Sequence, residues 1–361
     1  MNLEDIAKKA GVSRSTVSRV INNDRYVSAD TRERVMRVIE EENFQPNPAA
    51  RALVTRRTEI IGVVIPNTEN IFFTDNSYFP MLLAGLGEAT RQRDYALLLW
   101  LGELTNKDEH WIRKITTSRQ ADGLVIASLT HDHPLFPRLL EMHMPIVMID
   151  RPLQHEERIN YVTIDNIHSA ETAVGHLIAH GRRRIAHITG HVEISDGRDR
   201  LIGYQNALTK AGLPVDPNLI YYGKFTRTAG YHGMKYLLQY KPDAVFAGGD
   251  TIAIGVLQAI QEEGLRVPDD IGIIGFDDID VARQSNPQLT TMRQPVQQKG
   301  AVAAQLLIDL IEGKLQSPQH ILLPTELVIR GSCGADHPAL PLSSNNHRTQ
   351  ATKGGDVQPS Q

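Results

Sequence analysis

Apolar residues in the first 44 positions recur at helical spacing in three short blocks. Leu3, Ile6, Ala7 and Ala10 form the first stripe, Val17, Val20 and Ile21 the second, and Val35, Val38 and Ile39 the third, with Phe44 closing a small core. The boundaries are equally legible. Asn2 and Asp5 make a capping-box pattern, Gly11 ends the first helix, Val12 and Ser13 leave room only for a tight corner, and Ser28 begins the third helix near Thr31. From Ile60 the pattern changes to short apolar runs alternating with amphipathic stretches, the signature of parallel α/β units. Strands are predicted at 60–65, 95–100, 123–127 and 146–149, with helices starting near Phe79, Lys107 and Pro134. A second series opens with a strand at 161–164 and continues at 185–189, 219–222, 244–247 and 271–276. Its helices cover 168–180, 198–211, 228–240 and 251–263. Two similar halves in tandem predict two lobes, with a ligand cleft beyond the carboxyl ends of their strands.

What the second helix leaves outside its stripe is chemically dense. Arg14, Ser15, Thr16, Ser18, Arg19 and Asn22, with Ser13 at the corner, offer donors and acceptors for base edges and phosphates. A further short helix is predicted from Asn47, its cap, and Pro48 at the first turn, through Ala50, Arg51 and Leu53. Alone, so short a helix is unstable. The blocks VSRSTVSRVIN, NPAARAL and IIGVVIP, in this order and spacing, resemble the LacI/GalR family of bacterial transcription regulators. The resemblance spans about Asn2 to Cys333. It implies an all-α helix-turn-helix head plus an α/β two-lobed periplasmic-binding-protein-like body of two doubly wound parallel sheets. The chain would cross between lobes three times, returning the helix at 296–312 to the first lobe and the strand at 326–329 to the second. It also implies that the hinge helix orders on DNA and that Leu53 wedges into the minor groove, an unstacking repaid by backbone contacts.

The expected domains are a head at 1–45, a hinge helix and linker at 46–58 and a body at 59–334. Within the body the first lobe covers about 59–160 and 292–322, the second about 161–291 and 323–334. The segment 335–361, rich in Pro, Ser, Asn, Gln and Gly, reads as a disordered tail without a leucine heptad. Some members of the family that the chain resembles form tetramers through a terminal leucine-heptad helix; with none here, the resemblance implies a homodimer.

Strand ends supply the candidate ligand residues. The resemblance places Arg200 of GRDRLIGY, Asp277 of IIGFDD, Phe225 and the pair Tyr78–Phe79 against an effector; Arg198, Asp150 and Asp250 are further candidates. An arginine fork suits paired hydroxyls or a carbonyl, and aromatic rings stack on the apolar face of a sugar or on a base. Residues 67–77 interrupt the family's usual run from strand to helix and leave the first-lobe contacts open.

Charge and composition narrow the class. Over residues 1–58 there are 11 lysines and arginines against 8 acidic residues, a net of +3, which leaves −7 for the remainder of a chain of net charge −4. That asymmetry suits DNA held by salt-sensitive phosphate contacts and by dimerisation rather than by a large basic field. A single cysteine, Cys333, excludes an internal disulfide and a cysteine-based zinc cluster. The His131–His133 triplet lacks metal-ligand spacing, and neither P-loop nor nucleophile elbow occurs, so no metal, cofactor or catalytic residue is expected. With no export signal or membrane-spanning run, a cytoplasmic, nucleoid-associated location is expected. Together with the family resemblance, these observations lead to the expectation of a repressor of a pseudo-palindromic double-stranded operator, gated by the sugar-like effector that the resemblance implies. A nucleoside or purine effector and, further off, a transporter's solute-binding protein are the alternatives.

Overall fold

Asn2 caps the first helix as its position predicts. In the computed structural model its Oδ1 accepts the N–H of Glu4 and of Asp5, at 2.9 and 3.1 Å, while Asp5 Oδ2 accepts the Asn2 N–H at 2.9 Å. Gly11 then leaves helix α1 (Leu3–Ala10) at φ +62°, a left-handed conformation that costs glycine little. The Ser13 hydroxyl accepts the Thr16 N–H at 3.1 Å and starts α2 (Arg14–Ile21); Ser28 caps α3 (Ala29–Glu41). Ile6, Ala7, Ala10, Val17, Val20 and Val35 form the head's core. The structure describes residues 2–21, 24, 26–44, 57–65, 77–102, 109–117, 120–127, 129–130, 133, 135–142, 144–316 and 318–334. The expected hinge helix with Asn47, Ala50, Arg51 and Leu53, the base-contact candidate Asn22, most of the 67–77 insertion and the tail at 335–361 lie outside the described residues.

Each lobe is built on a six-stranded sheet. The first contains β1 (Ile60–Ile65), β2 (Ala96–Leu101), β3 (Gly123–Ala127), β4 (Ile146–Ile149), β5 (Asn160–Ile164) and β11 (His320–Leu323), in the order β11-β5-β4-β3-β1-β2, all parallel. The second contains β6 (Ile185–Ile188), β7 (Ile220–Tyr221), β8 (Ala244–Ala247), β9 (Gly272–Asp277), β10 (Thr290–Arg293) and β12 (Glu326–Val328), in the order β12-β10-β9-β8-β6-β7. Only β12 runs antiparallel, against β10. Central strands such as GLVIA and AVFA are buried along their whole length, as helices on both faces require.

In the first lobe these helices are α4 (Tyr78–Arg91), α5 (Glu109–Thr117) and α6 (Leu135–Glu141), joined by α12 (Val296–Ile311). The second lobe carries α7 (Asn166–Ala179), α8 (Ser195–Lys210), α9 (Arg227–Leu237), α10 (Asp250–Glu262) and the short α11 (Asp280–Gln284). The chain crosses between lobes after β5, after β10 and between β11 and β12, so α12 packs on α4 and β12 returns to the second sheet. Glycines permit the α4–α12 approach. A Cβ on Gly85 would lie 1.8 Å from the Gln297 carbonyl oxygen, and one on Gly300 2.2 Å from that of Leu82.

One expected boundary is corrected. The strand at 161–164 does not open the second lobe: β5 pairs parallel with β4, Val147 opposite Asn160, and belongs to the first sheet. A fully buried strand has the same local pattern in either sheet; only its partner decides, and partner choice is not a local property. Strands β10 and β11 carry no sequence signal, because three of the four residues of TTMR are polar and HILL is a short edge strand with one buried residue.

Candidate ligand cleft and nucleic-acid interface

On α2, burial of Val17 and Val20 turns Arg14, Ser15 and Arg19 outward, with Thr16 and Ser18 at the margin. The Ser13 hydroxyl lies 2.7 Å from that of Ser15 and 2.9 Å from that of Thr16, a small hydroxyl cluster at the helix's amino end. A helix N-terminus with clustered hydroxyls and flanking guanidinium groups suits phosphate and base edges.

The second site is where the strand ends of the two sheets face each other. Tyr78, Phe79 and Asp150 line it from the first lobe; Ile194, Asp196, Arg200, Phe225, Gly249, Thr251 and Asp277 line it from the second. The space, including its open mouth, measures about 480 Å³. Asp150 and Asp277 hold positive φ, +72° and +112°. Strain of this kind in residues other than glycine is concentrated at functional sites.

Arg200 is the hub. It is 2% exposed, its guanidinium carbon sits 3.6 Å from the centre of the Phe276 ring, Nε donates to Asn166 Oδ1 at 2.9 Å and Nη1 to the Gly248 carbonyl at 2.6 Å. Asp277 Oδ1 and Asp196 Oδ2 lie 3.5 and 3.7 Å from its Nη atoms. The Phe225 ring sits 5.6 Å from the same guanidinium and packs over Gly190, where a Cβ would fall 2.0 Å from Phe225 Cζ. Burial pushes the Asp277 carboxyl up to about 6, against the pull of Arg200 and of the Gln294 hydrogen bond. Burial, with the Asp196 charge behind it, pushes Asp150 up to about 7 despite Lys299 beside it.

Of the eight ligand candidates, six meet in this cleft: Tyr78, Phe79, Asp150, Arg200, Phe225 and Asp277. Two do not. Arg198 is exposed and donates to the Val192 carbonyl at 3.4 Å, because two positions along a helix turn it about 200° away from Arg200. Asp250 is fully buried below the cleft; its oxygens accept from the Thr291 hydroxyl at 2.6 Å and the Ile279 N–H at 3.0 Å, bracing the turn after β9. Asp196, in the first turn of α8, was missed; its place one helical turn before Arg200 was the available signal.

Among the described residues no helix is long and apolar enough to cross a membrane, and no group of His, Cys, Asp and Glu is placed to hold a metal ion.

Comparison with known proteins defines the class. Residues 2–47 match the family described as bacterial regulatory proteins, lacI family, and residues 174–333 match a periplasmic binding protein-like domain. The chain is 39% identical over 333 residues to the HTH-type transcriptional regulator CelR of Thermobifida fusca, covering 91% of this chain and 97% of that one. It is 34% identical over 340 residues to the HTH-type transcriptional repressor PurR of Shigella sonnei, with 93% and 97% covered. Among solved structures, a CelR–cellobiose complex superposes with a TM-score of 0.73 at 36% identity, covering 92% of this chain and 99% of that one. A lac repressor dimer bound to operator and the anti-inducer ONPF gives 0.80 at 26% identity, with 93% and 99% covered. The chain belongs to the LacI family and is a transcriptional regulator, not an enzyme.

Proposed function

We propose that this regulator is a cytoplasmic homodimeric repressor of a pseudo-palindromic operator, released or engaged by a sugar-like effector bound between its lobes. In this reading Ser13, Arg14, Ser15, Thr16, Ser18, Arg19 and Asn22 meet the major groove. Asn47, Ala50 and Arg51 follow the backbone, and Leu53 wedges the minor groove. Arg200, Asp277, Asp150, Tyr78, Phe79 and Phe225 hold the effector.

The observation that carries the effector class is the balance of donors and acceptors. Asp150, Asp196 and Asp277 place three carboxylates on the cleft, while the Nε and Nη1 of Arg200 are engaged by Asn166 and Gly248. Such a lining favours a ligand rich in hydroxyl donors and uncharged, with its apolar face on Phe79 or Phe225. A relative was solved with cellobiose. The test is thermal unfolding of the full chain against neutral mono- and disaccharides, their phosphates, nucleosides and purines. A ligand that binds only the native state raises the transition with saturation. Stabilisation by a neutral saccharide is expected; stabilisation by a purine alone would replace the sugar reading.

A further inference from the structure

A lysine in the first turn of a helix faces the positive end of the helix dipole, and a fully buried lysine needs compensation for lost water. Lys299 meets both penalties: it is the fourth residue of α12 and 0% exposed. Its Nζ donates to Asp150 Oδ1 at 2.7 Å and to Gln294 Oε1 at 2.7 Å, and lies 3.5 Å from the Tyr78 hydroxyl. Gln294 in turn donates Nε2 to Asp277 Oδ1 at 2.6 Å. The row Asp150–Lys299–Gln294–Asp277–Arg200 therefore runs beneath the cleft from one lobe to the other through the crossover segment at 294–295. A methionine at 299 would fill similar space without either penalty. The cost of the lysine points to a task other than stability.

We propose that Lys299 is a positioning residue of the ligand cleft, which holds Asp150 of the first lobe and, through Gln294, Asp277 of the second as ionised acceptors for one ligand bridging both lobes. The inference rests on the reading of the cleft as a site for a hydroxyl-rich effector. The three ammonium protons face Asp150, Gln294 and Tyr78, so Lys299 offers the ligand no donor of its own; it acts by setting the acceptors.

Asp150 is faced by Lys299 from α12, Tyr78 from α4, Asp196 and Arg200 from α8, and Asp277 from β9. Removing the lysine charge leaves two carboxylates and one arginine around it, and protonation of Asp150 moves to higher pH. The experiment compares the full chain with Lys299→Met and with Lys299→Met/Asp150→Asn, which removes both buried charges and keeps the fold testable. Cellobiose affinity by calorimetry and ligand-free melting temperature are each followed from pH 5.5 to 8.5. In Lys299→Met the pH midpoint of both curves shifts upward by about one unit or more, cellobiose affinity at pH 7.5 falls about tenfold, and the double variant, while staying folded, loses the component due to Asp150 and keeps that of Asp277 near 6. A Lys299→Met melting profile that keeps the parent's midpoint overturns the proposal. Failure of the parent to bind cellobiose counts against that sugar as ligand, and the melting profiles then decide the role of Lys299 on their own.

Discussion

Arg151, two residues after β4 in the first lobe, donates Nη2 to both carboxylate oxygens of Asp199 on α8 in the second lobe, at 2.9 and 2.8 Å. Glu156 Oε2 lies 3.5 Å from the other terminal nitrogen. The pair stands one residue from Asp150 on one side and one residue from Arg200 on the other, so two Asp–Arg dipeptides face each other across the cleft. Asp199 is 9% exposed and Arg151 31% as side chains, which keeps solvent screening partial.

Arg151→Met should therefore favour the open arrangement of the lobes. Hydrogen bonds to charged groups contribute about 1.5 to 3 kcal/mol, enough to shift a closed–open equilibrium by roughly tenfold or more. The expected outcome is a larger radius of gyration by X-ray scattering without ligand and weaker saccharide binding. An unchanged radius would show that the pair does not hold the lobes together.

Arg200→Lys keeps the charge but loses the planar fork and the stacking on Phe276. Saccharide affinity should fall at least tenfold, measured by calorimetry. Arg198→Lys, on the outer face of the same helix, should leave it within twofold.

Ionisation in the cleft gives a signed pH dependence. Asp150 and Asp277 titrate at about 7 and about 6 in the folded chain, above their ordinary value of 3.8. The folded state thus binds more protons than the unfolded one above pH 4, and each group lowers stability as pH rises to its folded value. Two histidines oppose this. Burial lowers His176 and His187 to about 4, so each adds stability as pH rises from about 4 through the ordinary histidine range near 6.5. Burial also raises Asp250 and Asp199, so the histidines offset only part of the trend, and the difference between the parent and Asp150→Asn isolates one group. Asp150→Asn should gain stability relative to the parent progressively from pH 4 to 7 and no further above, by calorimetric unfolding.

The α4–α12 contact makes a packing prediction. Gly85→Ala and Gly300→Ala set a Cβ against backbone carbonyls and should each destabilise the first lobe by about 1–3 kcal/mol or more. Gly87→Ala on the same helix meets nothing closer than Leu97 Cδ1 at 3.9 Å and should instead stabilise by about 0.5–1 kcal/mol. Urea unfolding of the three variants reads both signs.

Local chemistry made much of the fold legible. Asn2, Gly11, Ser13 and Ser28 act on the backbone a few residues away, so their roles follow from sequence alone. Runs such as IIGVVI and GLVIA are apolar at every position and marked their strands to the residue. Distant partners were not legible. The sheet that receives β5 is set by β4 and β11, and the fate of Asp250 by Thr291 and Ile279. Arg200 carried a family motif, whereas Gln294, between β10 and α12, and Lys299, in the first turn of α12, had no pattern to mark them. Arg198 was separable by helix geometry, since a residue two positions from Arg200 cannot share its face.

Operator affinity with the cleft filled and empty is the measurement that bears most directly on a ligand-gated regulator. A palindromic duplex selected from a random pool by the full chain is titrated by fluorescence anisotropy, with and without a saccharide that calorimetry has shown to bind. Coupling of about 1–3 kcal/mol predicts a change in Kd of roughly 5- to 150-fold, and the duplex must alter saccharide affinity by the same factor. Equal Kd values for the duplex at full occupancy of the cleft would contradict gating.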